Sequence, residues 1–162
     1  MSIEEQAIAG AKLELFGINF IKDKMTLRVP TAKIVSASST VRLQSAYKKF
    51  FPKYLAGLKK AGWPVDAISI HTYPGSTGTP AERATFIEQV KADEAKAGVP
   101  ASKQLWDTEV KYGIAGPGSG NPHVSIGGSQ AAAWVAQTYM DNLRLGVARS
   151  YWYDWSPTNS LV

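Results

Sequence analysis

The stretch QLWDTEVKYG, residues 104–113, decides the fold. Leu105, Trp106 and the β-branched Thr108 mark a short buried strand, 105–109, that stops on Glu109. A Gly/Pro-rich loop, YGIAGPGSGNPHVSIGG, begins three residues later. A strand that ends on an acid is either solvated at its tip or carries a carboxylate at the mouth of an α/β sheet. The flanking segments bear on which reading holds.

Upstream, Thr79-Pro80-Ala81-Glu82 is a helix start: threonine as N-cap, proline in the first position, glutamate three residues on. The helix is expected to run to about Ala97, with Gly98 and Pro100 ending it. Before it, WPVDAISIHTYP (63–74) holds a strand from Ala67 to Tyr73. In SAYKKFFPKYLAGLKKAG (45–62), Tyr47, Phe50, Phe51, Tyr54, Leu55 and Leu58 recur at steps of one helical turn, and Gly62 fits the C-terminal cap. Pro52 predicts that this helix begins again there. KIVSAS (33–38) reads as a strand centred on Ile34 and Val35, and residues 3–28 as an irregular helix that Pro30 separates from it. Downstream, a helix is expected at about 129–145, closed by Gly146, and SYWYDW (150–155) is the last strand.

Helix and strand thus alternate four times. That order predicts an α/β fold, with βαβ crossovers, a parallel sheet and right-handed connections. The 162 residues suffice for one domain with a sizeable core, and 44% hydrophobic against 19% charged residues exclude a disordered chain. No apolar run reaches the ~18 residues that a membrane span needs. The first residues, MSIEEQAIAG, are acidic where a signal peptide is basic. The chain has no cysteine, which excludes disulfides and thiolate chemistry. Residues 1–62 carry eleven Lys/Arg against four acids. Their helical spacing reads as solvated helix faces; without a recognised motif the charge does not argue for nucleic acid. The two histidines lie far apart, with no carboxylate at ligand spacing, so neither a metal nor another cofactor is expected.

In parallel α/β sheets, functional groups collect at the carboxyl ends of the strands. Here those ends supply Ser36, Ser38 and Ser39; His71 and Tyr73; Asp107 and Glu109; Trp152, Asp154 and Trp155. Aromatic rings beside carboxylates suit sugars, whose C–H faces stack on indole while their hydroxyls take polar partners. Strand alternation puts Asp107 on the same face as Glu109, and turns Trp106 and Thr108 towards the helices.

With these residues in place, the chain resembles the C-terminal half of a retaining glycoside hydrolase of the large clan built on a (β/α)8 barrel. LWDTEVKYG resembles that clan's seventh strand, which implies that Glu109 is the catalytic nucleophile. AISIHTYP resembles the sixth, with His71 and Tyr73 around the nucleophile and sugar. SYWYDW resembles the eighth, whose aromatic residue, Trp152 or Trp155, floors the sugar subsite. KIVSAS becomes the fifth strand, and residues 1–162 form one half-barrel domain, half of a TIM barrel with four parallel strands. The clan's acid/base glutamate, in an Asn-Glu pair on strand four, has no counterpart, because the sequence contains no Asn-Glu pair.

Two readings follow. In one, the chain is the nucleophile-bearing half of a glycosidase, completed by a partner half-barrel or by homodimerisation across raw strand edges and an apolar concave face. In the other, it is a non-catalytic scaffold or carbohydrate-binding domain. His71 either tunes Glu109 or is a structural hydrogen-bonded residue; Tyr73 either donates to the carboxylate or packs. A symmetric dimer would set its two Glu109 copies four strands apart, across the barrel. That spacing disfavours the ~5 Å of retaining hydrolysis and points to the ~6.5–9.5 Å of the inverting route.

Overall fold

A computed structural model describes residues 2, 5, 9, 12, 31–117 and 120–153. Seven elements follow in chain order: β1 (Ser39–Thr40), α1 (Gln44–Lys60), β2 (Ala67–His71), α2 (Pro80–Ala97), β3 (Gln104–Val110), α3 (Gly128–Leu145) and β4 (Val147–Trp152). The strands form one parallel sheet in the order β1-β2-β3-β4. The helices pack side by side, α1 on α2 and α2 on α3. Strand order that follows chain order, with the helices sharing one core, is a singly wound α/β sheet and fits a half barrel.

The core lies between sheet and helices. Tyr47, Phe51, Tyr54, Leu55 and Leu58 of α1 and Ile87 and Val90 of α2 meet Ile68, Ile70, Leu105 and Val147 there. A second cluster, Val110, Tyr112, Ile126, Ala131 and Trp152, closes the sheet's other end against α3. Each fully buried aliphatic or aromatic side chain contributes roughly 1.5–3 kcal/mol, so the α1 stripe alone is a major stabilising term.

Helix α1 is continuous through Pro52, contrary to the expected restart. Proline removes one N–H, and the carbonyl it orphans belongs to Lys48. Both residues are exposed, so water can serve that carbonyl. The helix ends in a Schellman motif: Trp63 N–H donates to Leu58 O and Gly62 N–H to Lys59 O, with Gly62 at φ 76°. Helix α2 starts and stops where the sequence predicts, with Gly98 left-handed at its end, although the Thr79 side chain makes no capping bond. Most of the helix expected at 3–28 lies outside the described residues. At its start Ser2 and Glu5 cap each other reciprocally, Ser2 N to Glu5 Oε2 at 2.6 Å and Glu5 N to Ser2 Oγ at 3.2 Å.

The strand boundaries shift. KIVSAS gives only a bridge between Val35 and Ala67, and β1 proper falls at Ser39–Thr40. The last strand begins at Val147, directly after the left-handed Gly146, and not at Ser150. The open face of the sheet is not the expected apolar surface. Ser38, Ser69 and Thr108 join hydroxyls across three strands at 2.5–2.9 Å, and the Arg149 guanidinium lies 4.8 Å from the Trp106 ring centre. Among the described residues no helix is long and apolar enough to cross a membrane.

Candidate active site

The site stands at the carboxyl ends of β2 and β3, and a bulge builds it. Between β2 and β3 the register runs Ile70 to Asp107, then His71 to Glu109. Between β3 and β4 it runs Asp107 to Ser150, then Val110 to Trp152. Thr108 and Glu109 therefore share the space of one residue, and strict alternation fails there. Thr108 meets Ser38 and Ser69 on the open face, and Glu109 meets His71 and Tyr73.

Asp107 consequently does not share the face of Glu109. It is fully buried on the helix side, paired with Arg83 of α2 at 2.7 Å. Its carboxylate also accepts the Thr72 N–H at 3.2 Å and the Thr72 hydroxyl. Arg83 donates further to Asn142 Oδ1 of α3 at 2.7 Å and to Thr72 Oγ1 at 2.9 Å. Burial pushes the Asp107 carboxyl up from its ordinary range, while Arg83 and the two Thr72 donors pull against that rise. Trp106 is likewise turned away from the helices, under Arg149 and beside Tyr151.

Glu109 keeps a side-chain exposure of 37%, and His71 of 22%. Tyr73 donates its hydroxyl to Glu109 Oε2 at 2.6 Å, and His71 Nδ1 lies 3.4 Å from the same oxygen. Burial first, then the hydrogen bond and charge of Glu109, push the Tyr73 phenol well above its usual range. Tyr73 is thus a fixed donor at any physiological pH. A carboxylate so held has one oxygen engaged, and among the described residues no protein donor meets Oε1, which suits a nucleophile or a hydroxyl acceptor.

The structure brings Glu109, His71 and Tyr73 together. It places Trp152 elsewhere: the indole is buried in the second cluster, 6.0 Å from the Tyr112 ring, and does not floor this site. The ring that does approach is Tyr153, edge-on to Tyr73 at 6.2 Å. Trp155 and Asp154 lie outside the described residues. His123 is exposed in the loop after β3. Among the described residues no group of three or more His, Asp or Glu could hold a metal.

Three contributors escape the sequence reading. Arg42, after β1, donates to the carbonyls of Pro74 (3.4 Å), Ile114 (3.3 Å) and Ala115 (2.8 Å), tying the loops that follow β2 and β3. Thr72 and Arg83 lie behind the site. Arg83 had a signal: it precedes Ile87 and Val90 at steps of four and three, on the buried stripe of α2 where an aliphatic residue is the rule. No family model matches the chain, and no curated protein matches it either.

Proposed function

We propose that the chain is the nucleophile-bearing half of a glycoside hydrolase of the TIM-barrel type, acting on O-glycosidic bonds once a partner half-barrel or a second copy completes the barrel. The observation that carries this reading is Glu109 itself. Its carboxylate sits at a strand's carboxyl end, half-exposed, turned to the open face by the extra residue Thr108 and held by Tyr73 and His71. A merely solvated strand tip needs none of these. Attack by Glu109 on an anomeric carbon would break the glycosidic C–O bond as a glycosyl ester forms; the departing oxygen would take its proton from an acid supplied by the completing half, and water would then cleave the ester. Tyr73 fixes the carboxylate so that its free oxygen is presented.

Completion is supported at both sheet edges. Beside β4, Tyr139, Met140 and Leu143 of α3 are exposed, and beside β1, Leu43. A neighbouring strand and helix at each edge would cover these exposed side chains.

A second reading, a carbohydrate-binding or scaffold domain, is favoured by one observation: the sequence has no Asn-Glu pair to supply the acid/base. Hydrolysis of a panel of aryl glycosides by the wild type and Glu109→Gln separates the two. Turnover that Glu109→Gln abolishes supports the enzyme. Sugar binding without turnover in either protein supports the binding domain, and neither activity would sink both. Product configuration then reports the partner. Retention requires an acid/base brought by another half; inversion fits self-pairing.

A further inference from the structure

We propose that the buried Arg83–Asp107 pair is a positioning device for Glu109, acting through Thr72 from behind the sheet. The segment His71-Thr72-Tyr73 is engaged from both sides. Its outer residues reach Glu109 Oε2, His71 at 3.4 Å and Tyr73 at 2.6 Å. Its middle residue is held by the opposite face of the same strand: Thr72 N–H lies 3.2 Å from Asp107 Oδ1 and 3.3 Å from Glu109 O, and its hydroxyl donates to Asp107 Oδ2. Arg83 closes the web, with Nε on Thr72 Oγ1 at 2.9 Å and Nη2 on Asp107 Oδ2 at 2.7 Å.

The web spans the two points where the β2–β3 register steps, Ile70 to Asp107 and His71 to Glu109. A bulge has no ladder of its own to hold its extra residue. Here Asp107 is pinned on the helix side just before the bulge. Glu109, just after it, is turned to the open side, and Thr72 is bonded to both residues. Arg83 and Asp107 touch neither the open face nor Glu109, so their role is to fix where His71 and the Tyr73 donor stand.

A purely structural ion pair would hold α2 to the sheet and do no more. The double variant Arg83→Met with Asp107→Leu separates the two roles, because it replaces the whole pair with apolar groups and leaves no buried charge. The readout is the NMR resonance of the hydroxyl-bearing ring carbon of Tyr73 at neutral pH, assigned with Tyr73→Phe. Glu109→Gln calibrates the loss of the carboxylate contact. A positioning role predicts that the double variant moves this resonance to the place it takes in Glu109→Gln, and that adding Glu109→Gln then moves it no further. An unmoved resonance in a folded double variant overturns the proposal. Should that variant fail to fold, Thr72→Val decides. It removes only the bridging hydroxyl and must move the resonance part of the way in the same direction; no movement overturns the proposal. The inference rests on the Glu109 site but not on glycoside chemistry. The resonance reports the contact whether or not a sugar is turned over, so the two readings fail separately.

Discussion

Replacing Arg83 by Met alone strands a charge. The guanidinium is fully buried and makes four hydrogen bonds: two to Asp107, one to Thr72 and one to Asn142. Without it, Asp107 is an unpaired carboxylate in the core with only the Thr72 donors, and breaking such a pair costs about 3–5 kcal/mol. One term opposes. Arg83 Nη1 is buried without a partner among the described residues, and removing such a group relieves about 1–3 kcal/mol. The net expectation is a loss of about 2 kcal/mol where Asp107 is ionised, a large share of the roughly 5–15 kcal/mol that holds a domain of this kind together. The pH dependence has a definite sign. With Arg83 gone, only the Thr72 bonds oppose the burial that raises the Asp107 pKa. The folded variant therefore binds a proton more tightly than the unfolded chain. Its deficit grows as pH rises through the raised pKa of the folded variant and shrinks as pH falls towards the ordinary carboxylate range, about 4. Urea unfolding followed by tryptophan fluorescence measures it as a shift in midpoint at constant slope. A variant as stable as the wild type, or a loss that stays the same as pH rises, would show that Asp107 is not left as a buried, unpaired charge.

Further perturbations have equally definite outcomes. Burial pushes Glu94 up to about 7 from 4.5, with Lys91 pulling the other way, so its share of stability is present below pH 4.5 and lost as pH rises through 7. Glu94→Gln should flatten the pH-stability curve across that window and stabilise the protein above it by up to about 3 kcal/mol, read from urea midpoints. Gly113 has φ +73°, and an added Cβ would collide with the Val124 carbonyl oxygen. Gly113→Ala should therefore cost more than the ~1 kcal/mol of an ordinary glycine substitution in a melting experiment. Tyr112→Phe removes a buried 2.6 Å bond to Thr138 Oγ1, which still donates to Trp134 O. Its cost should stay near 1 kcal/mol in the same assay. If two copies close the barrel, light scattering on a sizing column should give about twice 17.5 kDa, and substituting Leu143 with Lys at the β4 edge should lower that mass.

Much of the fold was legible because its signals are local. The apolar stripe of α1, the Thr79-Pro80 start of α2 and the glycines that end α1, α2 and α3 are fixed by steric and capping rules within a few residues. The site was legible in part. Glu109, His71 and Tyr73 stand at strand ends, where a parallel sheet collects functional groups, and they do meet. What failed was parity. Asp107, Trp106 and Thr108 were assigned faces by strict alternation, and a bulge at Thr108–Glu109 reversed them. A second shift between Leu105 and Trp106 against β4, with Val147 as the strand's start, put Trp152 in the core and Tyr153 beside Tyr73. A bulge is decided by partners on neighbouring strands and by groups behind the sheet, here Arg83 and Thr72. Neither is adjacent in sequence to the residue it displaces.

The proposed function requires that Glu109 present its carboxylate to a sugar. A cationic sugar mimic, an iminosugar from a small panel of configurations, tests it without requiring turnover. NMR titration should move the resonances of His71, Tyr73 and Tyr153 on binding, and Glu109→Gln should weaken that binding at least tenfold by removing the charge that the cation faces. Binding that is unchanged in Glu109→Gln, or resonances that move only elsewhere, would show that Glu109 does not face the sugar.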